Sequence, residues 1–392
     1  MFLGAAITRM RATVLVFIDT FLTMTALGAP STERVLIVRL DAIGDFILWL
    51  DSAQALAAHF EKRGKRPVLL ANAIWAQWAR DLDFFEEVIA VDVAKFLRSP
   101  VYRYRIGSEI RRAGYTTAVE PTFSRSWILG DSIIRVSGAR ERIGSTGNKL
   151  NTRVWQTNMG DSWYTQLVPA DPAPRSELER NAEFIRNLGE VDFRSRLPHL
   201  AAKSLRVDSQ FTTSVGGKPY YVLFPGASWV GRQWPISSFC EIGEKLFDRT
   251  GWQGVVCGGP SDFELARDLC QKSRAPLLNW AGRTDLAQLA AILSGTQLLL
   301  TNETSAVHIA AACGAPAVCI VGGGHYGRFM PYHVEQSVDR PLPLTVTHLM
   351  PCFGCNWKCI YRCPEGNAVP CIERVPVDEV WRSIGEALGF TP

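Results

Sequence analysis

The turn Asn302-Glu303-Thr304-Ser305-Ala306 carries residue types that suit an anion. It joins an apolar run, Leu298 to Thr301, to a helix-like stretch, Ala306 to Cys313, and a second apolar run, Ala317 to Val321, follows. A small polar turn at that junction presents the unpaired N–H groups of a helix N-terminus, which favour a phosphate. Thr304 or Ser305 can cap the helix, while Ala306 leaves room for a ligand to approach the backbone. His308, one turn further on, is open to a phosphate contact or to packing.

A second constellation is thiol-rich. Cys352, Cys355, Cys359, Cys363 and Cys371 are packed into one short stretch. Cys352 and Cys355 have the C-x-x-C spacing by which a tight turn offers two thiolates to one metal. The other three exceed the further ligands that a tetrahedral structural zinc or iron site needs. Reduced, unliganded thiols, or disulfides formed after isolation, are the alternatives. Cys240, Cys257, Cys270, Cys313 and Cys319 lie singly in apolar segments, as small buried hydrophobes do. Such lopsided usage fits a reducing, cytoplasmic compartment.

A turn like that at Asn302 needs a parallel sheet behind it. Two apolar strands flanking a short helix make a βαβ unit with both faces covered. The same alternation starts at Glu33: ERVLIVRL is a strand, Asp41-Ala42-Ile43-Gly44-Asp45 a turn, and a long helix runs to Gly64. RPVLLAN, EEVIAVD and YTTAVEPTF read as further strands, interleaved with helices. Asn148 to Arg175 reads as irregular, Ser176 to Leu188 as a helix, and Val215 to Pro219 as a linker. A second alternation then runs to the βαβ unit. The fold class is α/β: two Rossmann-like, doubly wound parallel-sheet domains, residues 33–205 and 218–392, after an apolar extension, 1–32. No G-x-G-x-x-G follows the first strand, which argues against a nicotinamide cofactor.

Composition sets the outer limits. At 392 residues the chain can bury two cores, and 47% hydrophobic with 20% charged is globular, neither disordered nor membrane-spanning. A net charge of +4 makes no case for nucleic acid. Thr13 to Ala29 is largely apolar and follows Arg9 and Arg11. Asp19 interrupts that run, which is shorter than the ~20 residues of a spanning helix. Phe17, Phe21, Leu22 and Leu27 can share a face, which suits a helix on the inner surface of the cytoplasmic membrane. An unstructured or mis-started extension is a second reading, and a cleaved signal or a true span a third.

Several blocks, in order, resemble glycosyltransferase family 9, the bacterial heptosyltransferases of lipopolysaccharide synthesis. They are RLDAIGD after the first strand, PGASWVGRQWP, VVCGGPSD, NWAGRTDLAQLAAIL and TNETSAVHIAAACGAP. The resemblance implies the GT-B architecture, with an active site in the cleft between two Rossmann-like domains. It also implies that the last helix, PVDEVWRSIGEAL, returns toward the first domain. The implied reaction moves a sugar, typically heptose from ADP-heptose, to a hydroxyl of a lipid-linked saccharide. That transfer inverts the anomeric centre and needs no metal or other cofactor.

By the same resemblance Asp45 is the catalytic base. An Asp at the start of any helix also offsets the dipole, so Asp45 has a structural reading too. Ser228 and Arg232 match the residues that hold the donor phosphates, with Arg standing where the family has Lys. Thr304, Ser305 and Ala306 add backbone N–H groups, and Gly282 and Thr284 lie by the nucleoside. Glu303 contacts donor hydroxyls where the family usually has Asp. Gly44, Ala227, Asn302 and His308 are neighbouring candidates. Two other classes stay open: a nucleotide-sugar epimerase of GT-B-like fold, and a non-catalytic relative that binds a nucleotide or saccharide.

Overall fold

Val35, Leu36, Ile37 and Val38 form an apolar run with no polar break, and all four are buried. A strand of that kind needs cover on both faces, which a doubly wound parallel sheet provides. The computed structural model describes residues 2–148, 150–200, 205–334, 340–361, 363 and 366–391, with backbone alone for 2–12 and 31–32. Two units divide the chain: Met1–Ala173 with Glu179–Ser195, and Pro174–Leu178 with Arg196–Pro392.

The first unit opens with α1 (Phe2–Met24), β1 (Ser31–Arg39), α2 (Ile43–Glu61), β2 (Arg66–Asn72), α3 (Ala73–Arg80) and β3 (Glu87–Val91). It continues with α4 (Val93–Arg98), α5 (Pro100–Arg112), β4 (Tyr115–Glu120), α6 (Gly130–Ser137), β5 (Glu141–Ser145), α7 (Val154–Asp161), β6 (Gln166–Val168) and α8 (Glu177–Leu188). The strands pair in parallel in the order β3-β2-β1-β4-β5-β6. Residues 148–175, expected to be irregular, contain α7 and β6. The three-residue edge strand and the prolines after it leave little apolar pattern to read.

The apolar N-terminal stretch is a helix of this unit. α1 packs on α5 and α6, burying Leu15 and Leu22. Gly107 permits that approach, since a Cβ there would sit 2.5 Å from Leu22 Cδ1. Asp19 faces inward to the buried Arg103, whereas Val14, Phe17, Phe21 and Met24 face out.

The second unit begins with α9 (Ser209–Val215), β7 (Tyr220–Phe224), α10 (Ile236–Thr250), β8 (Gln253–Val256), α11 (Phe263–Lys272), β9 (Leu277–Asn279) and α12 (Leu286–Ser294). β10 (Leu298–Asn302), α13 (Ser305–Cys313), β11 (Ala317–Ile320), β12 (Leu344–Val346), α14 (Pro370–Glu373) and α15 (Val377–Leu388) complete it. Its sheet is also parallel, in the order β12-β11-β10-β7-β8-β9. Each sheet therefore grows from its first strand in one direction and then reverses to the other side. α15 lays Val380 and Ile384 into this unit's own core, beside β11, β12 and α10.

Candidate active site

In the first unit the strand order reverses between β1 and β4. Ligands of open α/β sheets bind beside the carboxyl ends of strands at such a point. The β1–α2 turn lies there and is held from below. Asn72 Nδ2 donates to Leu40 O at 3.2 Å and Asp41 O at 3.1 Å, and Trp75 Nε1 donates to Asp41 O at 3.0 Å. Arg39 Nε pairs with Asp41 Oδ2 at 2.8 Å. Phe46 stacks on Trp75 with ring centroids 4.3 Å apart. Gly44 and Asp45 thus stand half-buried in the first turn of α2, where the helix dipole favours a carboxylate.

In the second unit the order reverses between β7 and β10. Asn302, buried at the end of β10, staples the loop that leaves β7. Its Nδ2 donates to Pro225 O at 2.7 Å, and its Oδ1 accepts from Trp234 N at 3.0 Å. The loop, with Ala227 and Ser228, closes in a short 3-10 turn, Val230–Arg232. That turn delivers Arg232 to the β10–α13 junction. Arg232 Nη2 donates to Glu303 O at 2.6 Å, and Nη1 donates to Ser228 Oγ at 3.2 Å. Arg232 Nε is buried and lacks a hydrogen-bond partner. Thr304 caps α13, its Oγ1 accepting from Ala306 N at 3.3 Å.

Ser228, Arg232, Glu303, Thr304, Ser305 and Ala306 are thereby brought together within one unit. Gly282, at φ 73°, donates to Gly258 O at 2.9 Å, and Thr284 precedes Asp285, the cap of α12. Both stand beyond β9, at the same carboxyl edge of the sheet and two strands from β7.

Glu303 is 4% exposed, and its carboxylate lies 3.5 Å from Arg232 Nη2. Neither carboxylate oxygen has a well-formed hydrogen bond. Burial pushes this carboxyl up to about 7, against the pull of Arg232. The site therefore holds a carboxyl able to carry or release a proton near neutrality. His308 is buried too, and its Nδ1 lies 2.6 Å from the Tyr332 hydroxyl. Burial, and then the nearby Arg232, lower it to about 3, so its ring is neutral.

Of the thiol cluster, Cys371 is buried in the second unit's core, and Cys359 and Cys363 pack against that core. All five cysteines are free. Cys371 Sγ accepts from Gly323 N at 3.4 Å, and Cys363 Sγ lies 3.6 Å from Cys359 Sγ. Among the described residues no three His, Cys, Asp or Glu side chains form a group that could hold a metal ion. The segment's turns instead seat Phe353 and Trp357 on the glycines after β11.

Residues 155–342 match the model of a family described as Glycosyltransferase family 9 (heptosyltransferase). Over that stretch, just under half of the 392 residues, the chain is similar to glycosyltransferase family 9. A lipopolysaccharide heptosyltransferase 2 of Escherichia coli K12 is 29% identical over 119 residues, 29% of this chain and 34% of the relative. The aligned stretch thus spans about a third of that relative's length. A family 9 glycosyltransferase structure from Veillonella parvula superposes with TM-score 0.67 at 18% identity, covering 93% of this chain and 99% of that one. An E. coli heptosyltransferase solved with ADP-2-deoxy-2-fluoro heptose gives TM-score 0.61 at 15% identity, covering 90% and 99%. At these identities the two structures establish the fold, that of GT-B heptosyltransferases.

The family 9 match includes Ser228, Arg232 and Glu303 but not Asp45, whose candidacy stands on its turn and helix position. It also omits Trp357, which residue types alone did not single out. Trp357 stacks over Arg232, 4.9 Å from ring centroid to guanidinium carbon. The one local hint is the run Gly322-Gly323-Gly324, which leaves space for rings.

Proposed function

We propose that this chain is an inverting glycosyltransferase. It moves a sugar, heptose, from an ADP-activated donor to a hydroxyl of a lipopolysaccharide-type or other cell-surface saccharide. The observation that carries this reading is Arg232, whose buried Nε lacks a partner beside the capped N-terminus of α13. A guanidinium and a helix N-terminus together suit a diphosphate. The E. coli neighbour's ADP-linked ligand supports ADP as the carrier.

In the proposed reaction the acceptor oxygen attacks the anomeric carbon as the bond to the β-phosphate oxygen breaks. The acceptor proton passes to Asp45, and ADP leaves with the bonding electrons. Arg232, Ser228 and the first N–H groups of α13 stabilise the charge that develops there. Glu303 addresses the donor sugar. No step requires a metal or other cofactor.

The acceptor's lipid anchor gives α1 a role. From Thr13 to Met24 its only charged residue is the inward-facing Asp19, and Val14, Phe17, Phe21 and Met24 make an exposed apolar stripe. Such a face suits the inner surface of the cytoplasmic membrane. Among the described residues no helix is long and apolar enough to cross one.

A mass-spectrometric binding screen against ADP-, UDP- and GDP-sugars, with and without acceptor, tests the reading. ADP-heptose should bind and release ADP in the presence of acceptor. Preference for a uridine or guanosine carrier would overturn the donor, and binding without transfer to any saccharide would overturn the reaction.

A further inference from the structure

We propose that Trp357 is a positioning residue for Arg232, and that the cysteine-rich segment is built onto the second unit to hold it there. The inference rests on Arg232 being the diphosphate ligand. Arg232 meets Ser228 Oγ, Glu303 O, the face of Trp357 and, at 3.5 Å, the Glu303 carboxylate. The first two fix the ends of the guanidinium. Stacking fixes its plane without consuming an in-plane donor, so Nε stays available for an oxygen anion.

The indole is itself held from several sides. Its Nε1 donates to His325 Nδ1 at 3.2 Å, while His325 Nε2 lies 2.7 Å from Asn356 Oδ1. Those contacts require a neutral His325 with its proton on Nε2. Burial, the largest influence on His325, lowers its affinity for a second proton. The ring lies directly on Gly324, where a Cβ would come within 2.3 Å of it. Gly354 N donates to Gly323 O at 2.7 Å, and Asn356 N donates to Gly324 O at 3.0 Å. Asn356 and Trp357 both take left-handed backbone angles, φ 49° and 60°. Two consecutive non-glycine residues rarely adopt that conformation, and they persist in it only where the surroundings impose it.

The far end of the segment grips the same loop. Val369 N donates to Gly231 O at 2.9 Å, one residue before Arg232. Trp229, at the other side of the 3-10 turn, meets Trp357 edge-on at 6.3 Å. A tryptophan serving only as core would not be left half-exposed with its N–H committed to a histidine. The segment spans the loop that carries the arginine, so its own fold sets the guanidinium.

Calorimetric titration of the full chain with ADP and with adenosine tests this, using Trp357→Ala, Trp357→Phe, His325→Ala and Arg232→Ala. Trp357→Ala should weaken ADP by ~tenfold or more and leave adenosine unchanged, while His325→Ala and Trp357→Phe, which both lose the indole–imidazole bond but keep a ring over the guanidinium, should each weaken ADP by about threefold. In the Arg232→Ala background, Trp357→Ala should add less than about twofold, because the two residues act through one contact. ADP affinity unchanged in Trp357→Ala, or in His325→Ala where that first variant does not fold, overturns the inference. Equal losses for ADP and adenosine overturn it as well, since they would mark a general collapse of the site. Failure of the diphosphate reading looks different: Arg232→Ala would then bind ADP as the wild type does.

Discussion

Asp19 of α1 and Arg103 of α5 form a two-pronged ion pair, Oδ1 to Nε at 2.7 Å and Oδ2 to Nη2 at 2.6 Å, with both side chains buried. Arg103 also donates to Ile128 O and Ser132 Oγ. The one acid that interrupts the N-terminal apolar run therefore ties α1 to α5, alongside the buried Leu15 and Leu22. Asp19→Ala leaves a guanidinium buried without its counter-charge, and should cost about 3–5 kcal/mol of stability. Urea unfolding followed by circular dichroism checks this. A loss below about 1 kcal/mol would contradict the pairing's role. Deleting residues 1–30 should be at least as damaging, so it is a poor probe of membrane binding.

Point changes on the outer stripe of α1 avoid that difficulty. Phe17 and Phe21 are 72% and 50% exposed, so replacing both with Ser removes little from the fold. It should weaken binding to anionic vesicles by ~tenfold or more, given the apolar area each phenyl ring would bury in the interface. ADP-sugar hydrolysis by the soluble protein should stay unchanged. Flotation of wild type and variant to the same extent would remove the membrane from the account.

Glu303 supplies a pH dependence with a definite sign. Its folded value of about 7 lies above the ordinary 4.5, because burial favours the protonated carboxyl. The stability this carboxyl contributes is fully present below about 4.5 and is lost as pH rises through about 7. Glu303→Gln has no such titration. Relative to that variant, the wild type should lose roughly 3 kcal/mol between about pH 4 and pH 8. Urea midpoints at several pH values read the difference directly. Parallel curves for the two proteins would show that Glu303 titrates normally.

What could be read in advance divides by sequence distance. The Asn302–Ala306 turn was legible because strand, cap and helix are neighbours in the chain, and the types of Thr304 and Ala306 state their positions. Asn302's second function was not, since Pro225 and Trp234 lie about seventy residues away. Trp357 was hidden for two reasons: its partner is remote, and nothing in an Asn-Trp pair signals two left-handed residues. The five cysteines carry a strong local pattern, but what they meet was not legible, since the Gly323 N–H that donates to Cys371 lies about fifty residues earlier. Asp19 was visible as an interruption, but its partner Arg103 could not be assigned without the helix packing.

Transfer from ADP-heptose to a core-saccharide acceptor, measured for wild type and Asp45→Asn with the anomeric configuration of the product assigned, tests the central claim most directly. The wild type should release ADP in step with an inverted product. Asp45→Asn should bind ADP-heptose within about threefold of wild type yet transfer ~a hundredfold or more slowly, the scale of general-base assistance. Transfer by Asp45→Asn within about threefold of wild type, or a product of retained configuration, would contradict the account.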